Sequence, residues 1–462
     1  MKGLKLKRLI SLLVVFMLLI AGSVYAMAVE EDTYSAWASW EITMASSVYQ
    51  LGNEQTYSNF KTSFTEEKFA PVHDSLNAKF DTDDELGIIN SDAVTRGEVV
   101  EELYDIIVLA VDITGDASAL DYFVKNGLIN GRASGQYQLD KTCTTEEMIV
   151  FSVRVYEFIC YQLDLDSAGL FWKITGKDAP NTIYLLGSMH LGDSSVYPMS
   201  KAIIKAFNIS SYLGVEVNIY TMSEEDQAYL MDIQFLSDGT TIKDHISGET
   251  YALLVEVAEY FGMPEEVYNY LKPWAAMLGI QQAMAGDASA ADATNPMLGI
   301  DMHFLMRAVN FGMPIVELES VRYQLEMFDS YSPELQEYLL LSVLAQPGGE
   351  DEENAPTQEE IAEYVRMYNA ILLEAIKSGD EATLTALLTA DRDYENPLMN
   401  EFNTKLWDIR DAAMADAVEA YLNAEDAQGD FFIVVGAGHT VGDTGIVSVM
   451  LARGYTVERI GK

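Results

Sequence analysis

The chain has 462 residues, 49% of them hydrophobic, which is enough for one large domain with a core and for smaller parts. Its formal net charge of −44 argues against nucleic acid and anionic membrane surfaces as partners. Two cysteines, Cys143 and Cys160, exclude a framework of several disulfides. They could form one bridge or remain buried free thiols.

Residues 1–26 have the pattern of a secretory signal peptide. Early cations precede a largely apolar run from 9 to 20, and Val24 and Ala26 fit the small-residue positions of a cleavage site. An uncleaved anchor is the alternative, although the apolar run is short for a membrane span. We therefore expect an exported protein, secreted or held at the cell surface, with no transmembrane span in the mature chain.

Residues 27–165 are predicted to form a small helical N-terminal domain. Thr95 with Glu98, and Thr144 with Glu147, have the spacing of capping boxes at helix starts. With the "GLINGR" turn and the "GQYQLD" segment between them, the segment 94–160 resembles an S-layer homology module. The resemblance implies that a cell-wall polymer is a partner. A helical spacer is the alternative.

Residues 168–462 are predicted to form an α/β domain, with α+β as the alternative. Short apolar runs rich in β-branched and aromatic residues predict its strands, at 170–175, 182–186, 212–217, 314–319, 431–435 and 455–459. Helical patterns lie between most of them. The expected architecture is a central, mostly parallel or mixed sheet flanked by helices, and the last two strands with their helix form a βαβ unit.

Two of these strands end in the same motif, Gly-x-x-His. The first runs from Gly187 to His190 and the second from Gly436 to His439. In open α/β sheets, ligands bind at the carboxyl ends of the strands. A lone histidine after a strand is more often structural, but the repetition of the motif favours a shared site.

Two other strands carry acids, Glu216 in one and Glu317 with Glu319 in the other. Burying a carboxylate costs roughly several kcal/mol unless it is paired or bound to a metal. Two histidines with one or two carboxylates can hold a divalent transition metal and leave a position for water. A remaining glutamate could act as general base. The alternative for Glu216 is a strand-end acid that reaches solvent or pairs with an arginine.

These motifs and their order resemble the TraB/GumN family, which is related to the Tiki proteases and to erythromycin-esterase-like and ChaN-like folds. The matching segments are "GSMH" at 187–190, "VEV" at 215–217, "KPW" at 272–274, "GIDMHFL" at 299–305, "VELES" at 316–320, "IRDAAMAD" at 409–416 and "GAGH" at 436–439. The resemblance implies a metal-dependent hydrolase, in Tiki proteins a peptidase, with His190, His439 and Glu216 at the metal. Glu319 matches the second acidic motif, and Arg410 could bind a substrate carboxylate or pair with a glutamate.

The sequence therefore predicts an exported metal-dependent hydrolase, with peptidase activity preferred. Its cofactor would be Mn²⁺, Co²⁺ or Zn²⁺, and its substrate a peptide or small molecule. Glu216, Glu319 and Arg410 are the expected catalytic residues. Two alternatives remain open: a non-catalytic protein that binds or inhibits peptide signals in the same cleft, and a wall-attached structural protein.

Overall fold

The computed structural model describes most of the chain after its first 32 residues. The described residues are 33–87, 93–113, 118–132, 136–220, 222–285, 296–344, 358–390, 392–427 and 429–461. The predicted signal peptide, and with it the alternative of an uncleaved anchor, lies outside them. Within these ranges no helix combines the length and the apolar character needed to cross a membrane.

The chain divides into two compact units. One consists of Ala26–Ser167 with Ser194–Lys201, and the other contains Ala168–Asp193 and Ala202–Lys462. The first unit is helical, and its helices of at least seven residues among those described are Glu66–Phe80, Arg96–Val111, Ala119–Lys125 and Thr145–Gln162. Both predicted capping boxes form, because Thr95 and Thr144 each exchange hydrogen bonds with the glutamate three residues later. Cys143 and Cys160 are buried and unpaired with each other.

The second unit is built on one six-stranded mixed sheet. The strands are β1 (Leu170–Thr175), β2 (Ile183–Ser188), β3 (Tyr212–Val215), β4 (Ile315–Glu317), β5 (Phe431–Gly436) and β6 (Thr456–Arg459). Their order in the sheet is β4-β3-β5-β2-β1-β6. The pairs β4–β3, β3–β5 and β5–β2 are parallel, whereas β1 is antiparallel to both neighbours. This confirms the predicted α/β fold with a central mixed sheet.

Helices cover both faces of this sheet. From residue 201 onward the described helices of at least seven residues are Lys201–Ile209, Glu224–Ile233, Gly248–Tyr260, Pro273–Ala285, Ile300–Phe311, Val321–Asp329, Pro333–Leu344, Gln358–Ser378, Glu381–Thr389, Pro397–Asn403, Ile409–Leu422 and Ile446–Ala452. The last of them connects β5 to β6, which run parallel with β2 and β1 between them. The predicted βαβ unit therefore forms, with its two strands separated in the sheet.

Two helices bring residues to the sheet from opposite sides. Phe304, in Ile300–Phe311, packs on Phe432 with ring centroids 4.8 Å apart. Tyr421, in Ile409–Leu422, stacks on Phe431 at 5.1 Å. Because consecutive residues of a strand point to opposite faces, these two helices lie on opposite faces of β5.

Candidate functional site at the carboxyl ends of the strands

The ends of the four parallel strands meet at one edge of the sheet. His190 follows β2, Glu216 follows β3 and His439 follows β5 in the single turn Ala437–His439. Glu319 follows β4, so Glu216 and Glu319 lie just beyond the strands that were expected to contain them. Glu317, the last residue of β4, instead accepts a hydrogen bond from the Asn218 backbone N–H at 2.6 Å.

Arg410 joins the two site glutamates. Its Nε donates to Glu319 Oε1 at 2.9 Å and its Nη2 donates to Glu319 Oε2 at 2.7 Å. The same Nη2 donates to Glu216 Oε2 at 2.8 Å. The side chains of Arg410, Glu216 and Glu319 are only 1%, 9% and 2% exposed. Of the two roles that the sequence left open for Arg410, the structure therefore shows the ion pair, with both glutamates.

Glu216 is held as a carboxylate. Its second oxygen, Oε1, accepts a hydrogen bond from the Gly436 backbone N–H at 2.6 Å. Burial alone would raise the pKa of Glu216, but the nearby His439, Arg410 and His190 together lower this pKa to about 2. A carboxylate with so low a pKa is a weak proton acceptor. Its chemistry therefore suits a metal ligand or a fixed negative charge better than a general base.

His439 is oriented by a buried aspartate. Its Nδ1 donates to Asp411 Oδ1 at 2.6 Å, and Asp411 Oδ2 accepts from Thr444 Oγ1 at 3.1 Å. Burial raises the pKa of Asp411, and the hydrogen bond from His439 opposes the rise. The ring of His439 also packs against the ring of Trp407, with ring centroids 5.0 Å apart. These contacts leave Nε2 as the ring atom that can bind a ligand.

His190 has a matching partner from the opposite face of the sheet. Its Nδ1 lies 2.8 Å from Asp301 Oδ2, at the start of the helix Ile300–Phe311. Burial would lower the pKa of His190, but the charges of Asp301 and Glu216 outweigh burial, and the pKa is raised. Both site histidines thus present Nε2 while a carboxylate binds Nδ1.

Little space is left for a side chain at either glycine of the second Gly-x-x-His motif, least of all at Gly438. A Cβ built on Gly436 would lie 3.2 Å from Glu216 Oε1. A Cβ built on Gly438 would lie 2.6 Å from Cζ3 of Trp407, a distance that real Cβ atoms essentially never show. Trp407 lies in the π-helical turn Thr404–Asp408, and such turns are frequent at functional sites.

Sequence reasoning missed Asp301 and Asp411. Both lie within matched segments, "GIDMHFL" and "IRDAAMAD", so the signal was present in the sequence. Their role depends on histidines that are distant in sequence, and only the folded chain brings each pair together. Carboxylates in this position fix the tautomer and orientation of a metal-binding histidine.

The residue types at this edge of the sheet could hold a divalent metal ion. Two imidazole nitrogens with carboxylate partners and an ionised glutamate suit Mn²⁺, Co²⁺ or Zn²⁺. Two buried atoms here, Ser188 Oγ and Asp301 Oδ1, have no hydrogen-bond partner among the described residues, which is what a site that binds a further polar group would show. In this conformation, however, the ligand atoms of His190, His439 and Glu216 do not all lie within 4.8 Å of one another. Among the described residues, another group of three does meet that distance.

That other group lies in the N-terminal unit and consists of His73, Asp84 and Glu102. Asn77 Nδ2 faces His73 Nδ1 at 3.3 Å and also donates to the Asp84 backbone carbonyl at 3.0 Å. His73 Nδ1 must therefore accept, so Nε2 carries the proton and donates to Asp84 Oδ2 at 3.0 Å. Both ring nitrogens are used by protein groups, which identifies His73 as a structural histidine.

The fold and site together define a class: an α/β domain with paired histidines and arginine-bridged glutamates at the ends of parallel strands. The sequence model of the TraB/PrgY/gumN family matches residues 170–459, more than half of the chain, and the chain belongs to this family. Comparisons with curated proteins and with solved structures gave no significant match.

Proposed function

We propose that this protein is an exported metal-dependent hydrolase that cleaves peptides. One observation carries the proposal: His190 and His439 follow neighbouring parallel strands, and each has its Nδ1 bound by an aspartate. Metal-ligating histidines almost always donate their other ring N–H to a carboxylate, a backbone carbonyl or water, and both histidines have that arrangement here.

The residues around the histidines have distinct tasks in this proposal. His190 and His439 hold the metal through Nε2, and Asp301 and Asp411 fix the two rings. A divalent ion in such a site lowers the pKa of a bound water and polarises a carbonyl group. Glu216 contributes a permanent negative charge beside the two histidines, as a ligand or as an acceptor that orients water.

Glu319 and Arg410 act on Glu216 and have no direct role in the chemistry. Arg410 is neutralised by two carboxylates, so it is not the group that would bind a substrate carboxylate. Its guanidinium keeps Glu216 ionised and fixes one of its oxygens, and Glu319 fixes Arg410 by a bidentate pair. Both are positioning residues.

Export is part of the proposal because residues 1–26 have the pattern of a signal peptide. The strongly acidic composition suits a protein that must stay soluble outside the cell, and an acidic surface attracts cations. The N-terminal residue of the secreted protein, determined by sequencing, should be Met27. A protein that keeps residues 1–26 and stays with the membrane would contradict this part of the proposal.

Metal binding is the direct test of the site. The purified mature protein is stripped with chelator and titrated with Mn²⁺, Co²⁺ and Zn²⁺, beside His190→Ala, His439→Ala and the control His245→Ala. His245 is exposed and lies in the same unit outside the site. The wild type and the control should bind one of these metals stoichiometrically, and the two site variants should lose it. Equal binding by all four proteins would refute the metal site.

Product analysis then separates hydrolysis from binding alone. A pool of synthetic peptides is incubated with the metal-loaded protein, and the products are identified by mass spectrometry. The proposal expects cleavage that is lost in His190→Ala and His439→Ala. Peptide that is bound but recovered intact would favour a non-catalytic binding protein instead.

A further inference from the structure

Ser188 is a buried residue next to the site histidine His190, and it has no task in the proposed function. It is the last residue of β2, two positions before His190, and only 2% of it is exposed. Its Oγ has no hydrogen-bond partner among the residues the structure describes. A hydroxyl buried without a partner destabilises the folded protein, because it has lost its hydrogen bonds to water and gained none.

The register of the sheet gives the direction of the Ser188 side chain. Ser188 is paired with Gly436 in the parallel β2–β5 ladder. Side chains at paired positions of neighbouring strands project from the same face. A Cβ built on Gly436 would lie 3.2 Å from Glu216 Oε1 and 3.6 Å from His439 Cδ2. The Ser188 side chain therefore projects from the sheet on the side where Glu216 and His439 meet.

Ser210, the other buried serine of this unit among the described residues, has a satisfied hydroxyl. Ser210 is 7% exposed, and its Oγ donates to the Ala206 backbone carbonyl at 2.8 Å. The unmet hydroxyl of Ser188 lies at the carboxyl end of β2, two positions before His190, where it is available to a molecule bound at the site.

We propose that Ser188 is a catalytic residue, whose hydroxyl donates a hydrogen bond to the carbonyl oxygen of the peptide bond being cleaved. This inference rests on the proposed function. The hydroxyl has no competing acceptor to break away from, so it is available to stabilise negative charge that develops on that oxygen. The Ser188 hydroxyl, which has no partner among the described residues of the free protein, would gain one when the substrate binds.

The test compares variants that differ in the hydroxyl alone. Ser188→Thr keeps the hydroxyl and adds a methyl group. Ser188→Val has the same shape as Ser188→Thr but carries a methyl group in place of the hydroxyl, so any effect of the added volume is common to these two variants. Ser188→Ala removes it without added volume, and Ser210→Ala is the control for a hydroxyl that has a partner. The measurements are kcat and KM on the peptide that the wild type cleaves best, Co²⁺ affinity, and the melting temperature.

We expect Ser188→Ala and Ser188→Val to lose about 10²-fold in kcat with KM nearly unchanged, as for removal of one donor to a developing oxyanion. Ser188→Thr should stay within a few-fold of the wild type, and Co²⁺ affinity should be the same in all. The melting temperature of Ser188→Ala should equal or exceed that of the wild type, whereas that of Ser210→Ala should fall.

Three results would overturn the role of Ser188 while leaving the proposed function intact. Two of them are an active wild type with an equally active Ser188→Ala, and a melting temperature that falls in Ser188→Ala as it does in Ser210→Ala. A rise in KM with unchanged kcat would also overturn it, since the hydroxyl would then bind the ground state and the transition state equally. A wild type that binds no metal and cleaves no peptide overturns the proposed function, and the role of Ser188 with it.

Discussion

Arg410 holds together two buried carboxylates, and its removal should be among the most destabilising single changes in the domain. Replacing it by methionine, Arg410→Met, keeps most of the side-chain volume but leaves Glu216 and Glu319 9% and 2% exposed without their cation. Breaking a buried ion pair by removing one partner costs about 3–5 kcal/mol. We expect a loss of that size, about 3–5 kcal/mol, in the free energy of unfolding.

The assay is urea-induced unfolding followed by tryptophan fluorescence, because Trp172, Trp274 and Trp407 all lie in this unit. The matched control is the triple variant Glu216→Gln, Glu319→Gln, Arg410→Met, in which no charge is left unpaired. Its stability should return most of the way to that of the wild type, since neutral groups of similar shape cost far less to bury.

Arg410→Lys adds a second comparison. Lysine keeps the positive charge but lacks the planar fork that binds Glu319 through two nitrogens and reaches Glu216 as well. The free energy of unfolding of Arg410→Lys should lie between those of the wild type and Arg410→Met. The reasoning is refuted if Arg410→Met unfolds within about 1 kcal/mol of the wild type, or if the triple variant is no more stable than Arg410→Met.

Three further outcomes are expected. Because the pKa of Glu216 lies near 2 in the folded protein against 4.5 ordinarily, its contribution to stability should be complete above about pH 5 and fade as the pH falls toward about 2. Unfolding of Glu216→Gln measured across that range should therefore depend less steeply on pH; parallel curves would contradict the assignment. Asp411→Asn should weaken Co²⁺ binding in a titration about 10–100-fold, while Asp416→Asn, an exposed change on the same helix, should not. Gly438→Ala should lose about 1–3 kcal/mol in urea unfolding because its Cβ would meet Trp407, and adding Trp407→Leu should restore part of that loss; equal effects with and without Trp407 would show that sterics are not the cause.

Much of the fold could be predicted from the sequence because its buried strands are unbroken apolar runs that stop abruptly. Thr182–Leu186 and Phe431–Val435 were expected as strands and occur within one or two residues of those limits. Once such strands are taken as parallel, their carboxyl ends must share one edge of the sheet. This rule alone placed His190 and His439 together.

Other features of the site could not be read from the sequence. Nothing in the local pattern indicates that Arg410 contacts two glutamates at once, or that β5 lies between β3 and β2. Asp301 and Asp411 are two acids among 72, and only their contacts distinguish them from the many that face solvent. The ends of strands were also uncertain, because Glu216 was expected inside a strand and lies just beyond one.

The position of β5 in the sheet has a consequence for how the protein is made. This strand lies inside the sheet but is the fifth of its six described strands in chain order, and it pairs with both β2 and β3. A polypeptide that ends before Phe431–Gly436 lacks His439. It also lacks the strand that pairs with both β2 and β3, so the facing backbone edges of those two strands stay unpaired. The domain can therefore complete this site only after β5 has been synthesised, and a chain that ends before β5 exposes unpaired strand edges that favour aggregation.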